Sequence, residues 1–251
     1  MAHSRTEKSK VPASQKKRNR TNEDDDEPDS SKLSSRVQCA EQKISPKQLE
    51  QKVSEVIQYI LTVDQKKIPI KKSDISKNVL KDHRYLINTV MKMVTKKMNE
   101  VFGMDLVEID SKLHSFILVN KIPNAGEALA DSANKKLGLL MILLSIIFMK
   151  GGVLKCAKLW YVLKKFGIDQ STHHIVFGDV KKLIMEEFVR QKYLQCSRVP
   201  HTDVPEFEFR WGARAECEVP KMKVLEFTAK MYRNAPTDWS SQYKEAVEAQ
   251  S

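Results

Sequence analysis

Four cysteines and six histidines are the residues of this 251-residue chain best suited to ligate a metal or attack a substrate. Their spacing argues against both. Cys39, Cys156, Cys196 and Cys217 form no C-x-x-C pair, so no zinc site is expected, and gaps this wide do not read as a disulfide framework. They are expected to be packed or idle thiols. His173 and His174 are adjacent, and neighbours in sequence cannot aim at one metal from a helix face as an i, i+4 pair does, so loop residues are expected. His201, before Thr202 and Asp203, reads as a turn residue. No phosphate-cradling G-x-x-x-x-G-K-[ST] loop, G-x-S-x-G elbow or H-E-x-x-H helix is present. The chain is expected to be non-catalytic, with no cofactor and no metal.

Charge offers a second kind of chemistry. The net charge is +11, and residues 150–200 carry ten Lys/Arg against four Asp/Glu. Such a face either stays solvated or grips the phosphates of duplex DNA with release of counterions. The candidates are Lys164, Lys165, Lys181, Lys182, Arg190, Lys192 and Arg198. Lys181 and Lys182 fall in the first turn of an expected helix of the kind that enters the groove in a helix-turn-helix. No Asn, Gln or Arg cluster there suggests base reading, so phosphate contacts with little sequence preference are expected.

The elements that must position these groups follow from periodicity. Residues 1–45 hold a basic and an acidic block with almost nothing apolar to bury, and are expected to be a disordered tail. Lys16 to Arg20 has the composition of a nuclear localisation signal, although such runs also arise by chance. With no signal peptide at the start, the chain reads as intracellular and reduced. Leu49, Val53, Val56, Ile57, Ile60 and Leu61 mark an amphipathic helix capped by Ser45. A short extended segment at Pro69 follows, then a brief helix capped by Ser73. A third helix sets Leu86, Val90, Met93, Val94, Val101 and Phe102 on one side and ends near Gly103. Two strand-like runs, DLVEI and SFILVN, complete residues 46–120 as a winged helix.

After a linker at 121–136 the pattern starts again over 137–235, a repeat of architecture and not of sequence. Leu137 to Met149 is a first helix. Leu159, Trp160, Leu163 and Phe166 share one side of a second, and Asp179 caps a third that buries Val180, Leu183, Ile184 and Phe188. FEFRWG alternates strictly, with Phe207, Phe209 and Trp211 facing one way. A fourth helix opens with Pro220 at its first position and carries Met222, Leu225, Ala229 and Tyr232; residues 236–251 are a C-terminal extension. The fold class expected is mainly α with small β-hairpins (α+β), a tandem of winged helices.

Between Lys136 and Lys150 no residue is charged. As a helix this run spans about 20 Å, short of a bilayer's hydrocarbon core. A helix apolar on nearly every side must be covered on nearly every side. The first repeat and a protein partner are the candidates to cover what its own unit does not; burial of the whole run within the chain would remove the claim of a partner here.

The stretch HHIVFGDVKKLIMEEFVRQKYLQCSRVPHTDVPEFEFRWGARA (His173 to Ala215) resembles the signature half of the MAGE homology domain, as does the apolar run before it. The resemblance spans roughly residues 46–235. Val180 and Ala213 stand where the family's FGDPKK and WGPR have proline, a change expected to alter local stiffness more than surface chemistry. QKKIPIKKSDI and PKMKVLEFTAKM are most similar to the branch of the family that serves the structural-maintenance-of-chromosomes (SMC) 5/6 machinery. The resemblance implies a nuclear, chromosome-associated scaffold without catalysis, acting in DNA repair by recombination. Its implied partners are a RING-type ubiquitin ligase subunit (the first non-SMC element), a kleisin-like subunit (the fourth), the SMC 5/6 heterodimer and double-stranded DNA, with no membrane. The family docks its ligase through a di-leucine in the first helix, and the matching positions are Ile60 and Leu61. An adaptor for another RING ligase, or a winged-helix transcription factor, are the alternatives.

Overall fold

A computed structural model describes residues 44–121, 131–200 and 205–249, with the side chains of 131–134 excepted. The expectations for most of the tail, for Cys39, for His201 and for residues 122–130 of the linker lie outside the described residues.

Helix α1 (Pro46–Asp64) starts where its cap dictates. The Ser45 hydroxyl accepts from the Gln48 N–H at 3.3 Å, the Gln48 side chain accepts from the Ser45 N–H at 3.2 Å, and Pro46 occupies the first turn. Its stripe buries Val53, Val56, Ile57 and Ile60. Strand β1 (Ile70–Lys71) leads into α2 (Lys72–Ile75), which runs on as a π-turn (Ser76–Leu80) and a 3-10 turn (Lys81–Leu86) to α3 (Ile87–Phe102). Ser73 is not the cap expected of it. It lies inside α2 beside Asp74, and Lys71 holds the cap position without a side-chain bond. Helix α3 ends on Gly103 in the left-handed region (φ 62°), where glycine is least strained. Val101 and Phe102 are exposed, Val101 by 72%, because the stripe continues in phase for one turn beyond the core; Met98 is its last buried member. Strands β2 (Met104–Asp110) and β3 (Ser115–Asn120) then pair antiparallel, and the sheet order is β1-β3-β2.

The second unit repeats this topology. Helix α4 (Asp131–Met149) is followed by β4 (Leu154–Lys155), α5 (Cys156–Lys165), α6 (Val180–Lys182, continuing as π-turns through Leu183–Phe188), β7 (Leu194–Arg198) and β8 (Phe207–Trp211). Its sheet order, β4-β8-β7, matches the first, so a tandem of winged helices is present. Two details extend the plan. A two-stranded hairpin, β5 (His173–His174) with β6 (Gly178–Asp179), is inserted before α6. Helices α7 (Ala213–Glu218), α8 (Lys221–Tyr232) and, after a 3-10 turn at Pro236–Asp238, α9 (Ser240–Glu248) follow the sheet. Val180 and Ala213 each open a helix, a position where proline's missing N–H costs nothing, so valine and alanine change stiffness and leave the path intact.

Several boundaries differ from expectation for local reasons. Helix α4 begins at Asp131, inside the expected linker. Phe166 is exposed because α5 ends one residue before it, and Phe207 because it opens β8 at the hairpin end opposite Arg198. Pro220 is the cap of α8 and not its first residue; Leu225 and Ala229 are buried as expected, together with Val224 and Thr228, while Met222 is half-buried and Tyr232, at the helix end, is exposed.

Most of the apolar run is covered from within the chain, although Leu137 is 41% exposed and Met141, Ile142, Ile146 and Met149 are half-buried. Leu139, Leu140, Leu143, Leu144, Ile147 and Phe148 join one core with Leu159, Leu163, Leu183, Ile184 and Phe188, and with Val224, Leu225 and Ala246 of α8 and α9. The Trp211 indole N–H donates to the Leu144 carbonyl at 3.0 Å. No residue of the first unit belongs to this core, and the first unit has its own. Helices α8 and α9, and not the first repeat, cover much of what the rest of the unit leaves open on α4. Because the run is not wholly buried, the condition that would remove a partner at this helix is not met.

Candidate nucleic-acid and partner interface

Among the described residues no group of His, Cys, Asp and Glu could hold a metal ion. Cys156 and Cys196 are half-buried against the second core, and burial pushes the Cys196 thiol up; Cys217 is exposed. His173 and His174 lie in a strand and not in a loop. The His174 Nδ1 accepts the Val176 and Phe177 N–H groups at 3.2 and 3.3 Å, and its ring stacks on Phe177, so that nitrogen is taken up in shaping the hairpin. No described helix is long and apolar enough to cross a membrane.

All seven candidate cations are exposed, and none is ion-paired with a described residue. By contrast Lys136, Lys155 and Arg210, on the same unit, each hold a carboxylate. The seven do not form one patch. Lys164 and Lys165 end α5, where the Lys165 ammonium lies 4.8 Å from the Tyr161 ring centre. Lys181 and Lys182 occupy the first turn of α6, fixed by Asp179, whose carboxylate accepts the Lys182 N–H at 2.9 Å. Arg190 ends the helical run that continues α6 and Lys192 lies just past it, roughly 13 Å along the axis. Arg198 ends β7, opposite Phe207. Lys164, Lys165, Lys181 and Lys182 flank the helix-turn-helix; Arg190 and Lys192 border the junction between the two units.

Ile60 and Leu61 separate. Ile60 is 0% exposed inside the first core, whereas Leu61 is half-buried at its margin. A side chain without exposed surface cannot touch a partner while its unit stays folded, so any docking role falls to Leu61. Ile60→Ala is expected to cost about 3 kcal/mol through the cavity it leaves. Leu61→Ala is expected to shift the melting temperature little and to weaken capture of a RING subunit. Thermal melts and pull-downs of the two variants check this.

The junction holds a group that spacing did not reveal. Arg214, in α7, is 0% exposed. Its guanidinium donates to the Gln191 carbonyl at 3.0 Å and to Glu218 at 2.9 Å within its own unit. It also donates to the Lys67 carbonyl at 3.2 Å and the Leu118 carbonyl at 3.4 Å of the first unit. Asp64, ending α1, adds a charge 3.7 Å away, and its Oδ1 has no hydrogen bond of its own. The Tyr193 hydroxyl donates to Glu218 at 2.7 Å; burial, then the charge of Glu218, pushes its pKa well up, so it stays a donor. One arginine thus bonds three carbonyls and one carboxylate across two units, with the charge of a second carboxylate close by. The i, i+4 spacing of Arg214 and Glu218 was the only local signal; the partners at 64, 67 and 118 come together by tertiary folding.

Comparison with known proteins follows the same lines. The model of the MAGE homology domain matches residues 56–222. The human "Non-structural maintenance of chromosomes element 3 homolog" is 45% identical over 206 residues, covering 81% of this chain and 68% of that protein. Human "Melanoma-associated antigen D2" is 44% identical over 203 residues, 80% of this chain but 34% of that protein. Among solved structures, a chain of the "Nse1-Nse3-Nse4 complex" superposes with a TM-score of 0.77 at 46% identity, covering 81% of this chain and 100% of that one.

Proposed function

The chain belongs to the MAGE homology domain family, and on that premise we propose that it is a non-catalytic scaffold subunit of the SMC 5/6 chromosome-maintenance complex. In this reading it holds a RING-type ubiquitin ligase subunit and a kleisin-like subunit, supports the ligase, and contacts duplex DNA. It works in the nucleus on chromosomes, in repair by recombination. The observation that carries the reading is the similarity to the chain of the Nse1-Nse3-Nse4 complex, which extends over that chain's whole length. The exposed cations beside α6, which form no ion pair with a described residue, supply the chemistry for phosphate contact.

Co-expression with a RING first element and a kleisin-like fourth element tests the scaffold. A stoichiometric complex surviving gel filtration is expected, and failure to retain either subunit would sink the reading. An adaptor for a different RING ligase is the second reading, favoured by the nearly equal identity to the melanoma antigen. Retention of a RING subunit without the kleisin would select it.

For DNA, Lys181→Glu with Lys182→Glu is expected to weaken binding alike on unrelated duplexes. It should flatten the slope of log affinity against log salt by about two to four, since each neutralised phosphate contributes roughly 0.9 and each reversal adds a repulsion. Titrations at several salt concentrations read this directly. A strong preference for one duplex would favour a transcription factor instead.

A further inference from the structure

The β5–β6 hairpin presents two aliphatic side chains where a polar turn is ordinary. Ile175 is 99% exposed and Val176 48%, in a chain whose other aliphatic side chains are mostly covered. This tip is built and not frayed. His173 and His174 pair with Asp179 and Gly178, the His174 ring stacks on Phe177 at 4.7 Å, and its Nδ1 takes the N–H groups of Val176 and Phe177. Phe177 packs against the second core, and Gly178 takes a positive φ of 71° to close the turn. The strand that completes the hairpin runs directly into α6, so the tip stands just ahead of the turn bearing Lys181 and Lys182.

We propose that Ile175 and Val176 form an aliphatic wedge that enters the minor groove of duplex DNA at a base step, beside phosphates held by Lys181 and Lys182. This rests on the DNA reading above. Charge favours a polyanion. The two carboxylates that bracket the hairpin are already engaged, Asp179 as the helix cap and Asp169 by the Ser171 N–H and hydroxyl, while Lys164, Lys165, Lys181 and Lys182 form no ion pair with a described residue. Shape favours DNA over an acidic protein. A protein partner needs roughly 800 Å² on each side around an apolar centre, whereas this is a convex tip of two side chains. One or two aliphatic groups on a rigid protrusion are the form in which proteins part stacked bases and kink the duplex. The wedge adds affinity without sequence preference, because it reads how easily a step opens and not a pattern of donors.

The test uses the full chain, a mixed-sequence duplex carrying donor and acceptor dyes at its ends, and the variants Ile175→Ser/Val176→Ser and Lys181→Glu/Lys182→Glu. The exposure of both aliphatic residues predicts an unchanged melting temperature for the serine variant. Affinity should fall about tenfold, with the bend lost and the salt slope retained, since no phosphate contact is removed. Unchanged affinity and bend would overturn the wedge. So would a salt slope that falls together with affinity, or loss of a RING or kleisin subunit with DNA binding intact, which would make the tip a protein contact. If the lysine variant keeps wild-type affinity and slope, the DNA reading itself fails and takes the wedge with it.

Discussion

Replacing Arg214 by alanine is expected to destabilise the protein by about 3–5 kcal/mol, because it removes one member of a buried charge cluster and leaves the others in place. Glu218 would stay partly buried without its closest cation, and the carbonyls of Lys67, Leu118 and Gln191 would lose their donor. At two to four degrees per kcal/mol for a protein this size, the melting temperature should fall by roughly 10 °C. The form of the transition is as informative as its midpoint. The two units have separate cores, and the guanidinium bonds to both units. Calorimetry should therefore show one transition in the wild type and two in Arg214→Ala, as each core melts by itself. Arg214→Met keeps the length and loses the donors. It should cost nearly as much, since the unpaired carbonyls and not the missing volume set the penalty. A methionine variant close to wild type would show that the cluster is not what couples the units.

Gly212→Ala is expected to cost about 3 kcal/mol or more through a backbone clash that no rotamer can relieve. A Cβ at 212 would overlap the Lys192 carbonyl group and crowd that of Tyr193. The same loop is tied on both sides: the Gly212 N–H donates to the Tyr193 carbonyl at 2.8 Å, and the Arg214 N–H to the Lys192 carbonyl at 2.9 Å. Moving either strand to make room shifts the Arg214 guanidinium away from Lys67 and Leu118. The costs of Gly212→Ala and Arg214→Ala should accordingly overlap, with the double variant losing clearly less than their sum. Urea denaturation of the four proteins closes this cycle. Simple additivity would mean that the glycine acts only within the second unit.

These two residues mark where local reading stops. The amphipathic α1, its Ser45 cap, the stop at Gly103, the Asp179 cap of α6 and the burial of Val180, Leu183, Ile184 and Phe188 were all legible. Each depends on groups within about one or two turns of chain, so spacing carries it. The repeat of topology was legible for the same reason, each unit being a series of such local elements. On α8 the burial of Leu225 and Ala229 was legible as well, whereas Tyr232, the last residue of the helix, is exposed, and Val224 and Thr228 are buried by what packs on the helix.

The candidate site divides in the same way. That cations gather between residues 150 and 200, and that no catalytic pattern is present, is a property of residue types along the chain. Which of them share a face is not: α6 sends Lys182 and Arg190 to opposite ends, and Ile60 and Leu61, adjacent in sequence, part between core and margin. The apolar run of α4 states only that it needs cover. Whether a partner or the chain supplies it depends on where α8 and α9 return, some eighty to a hundred residues later. Arg214 is the sharpest case. Arginine is among the residues least often buried, and only the convergence of Asp64, Lys67, Leu118, Gln191 and Glu218 satisfies its donors away from water. Local sterics and periodicity decide elements; burial, and with it the fate of each charge, is decided by contacts distant in the chain.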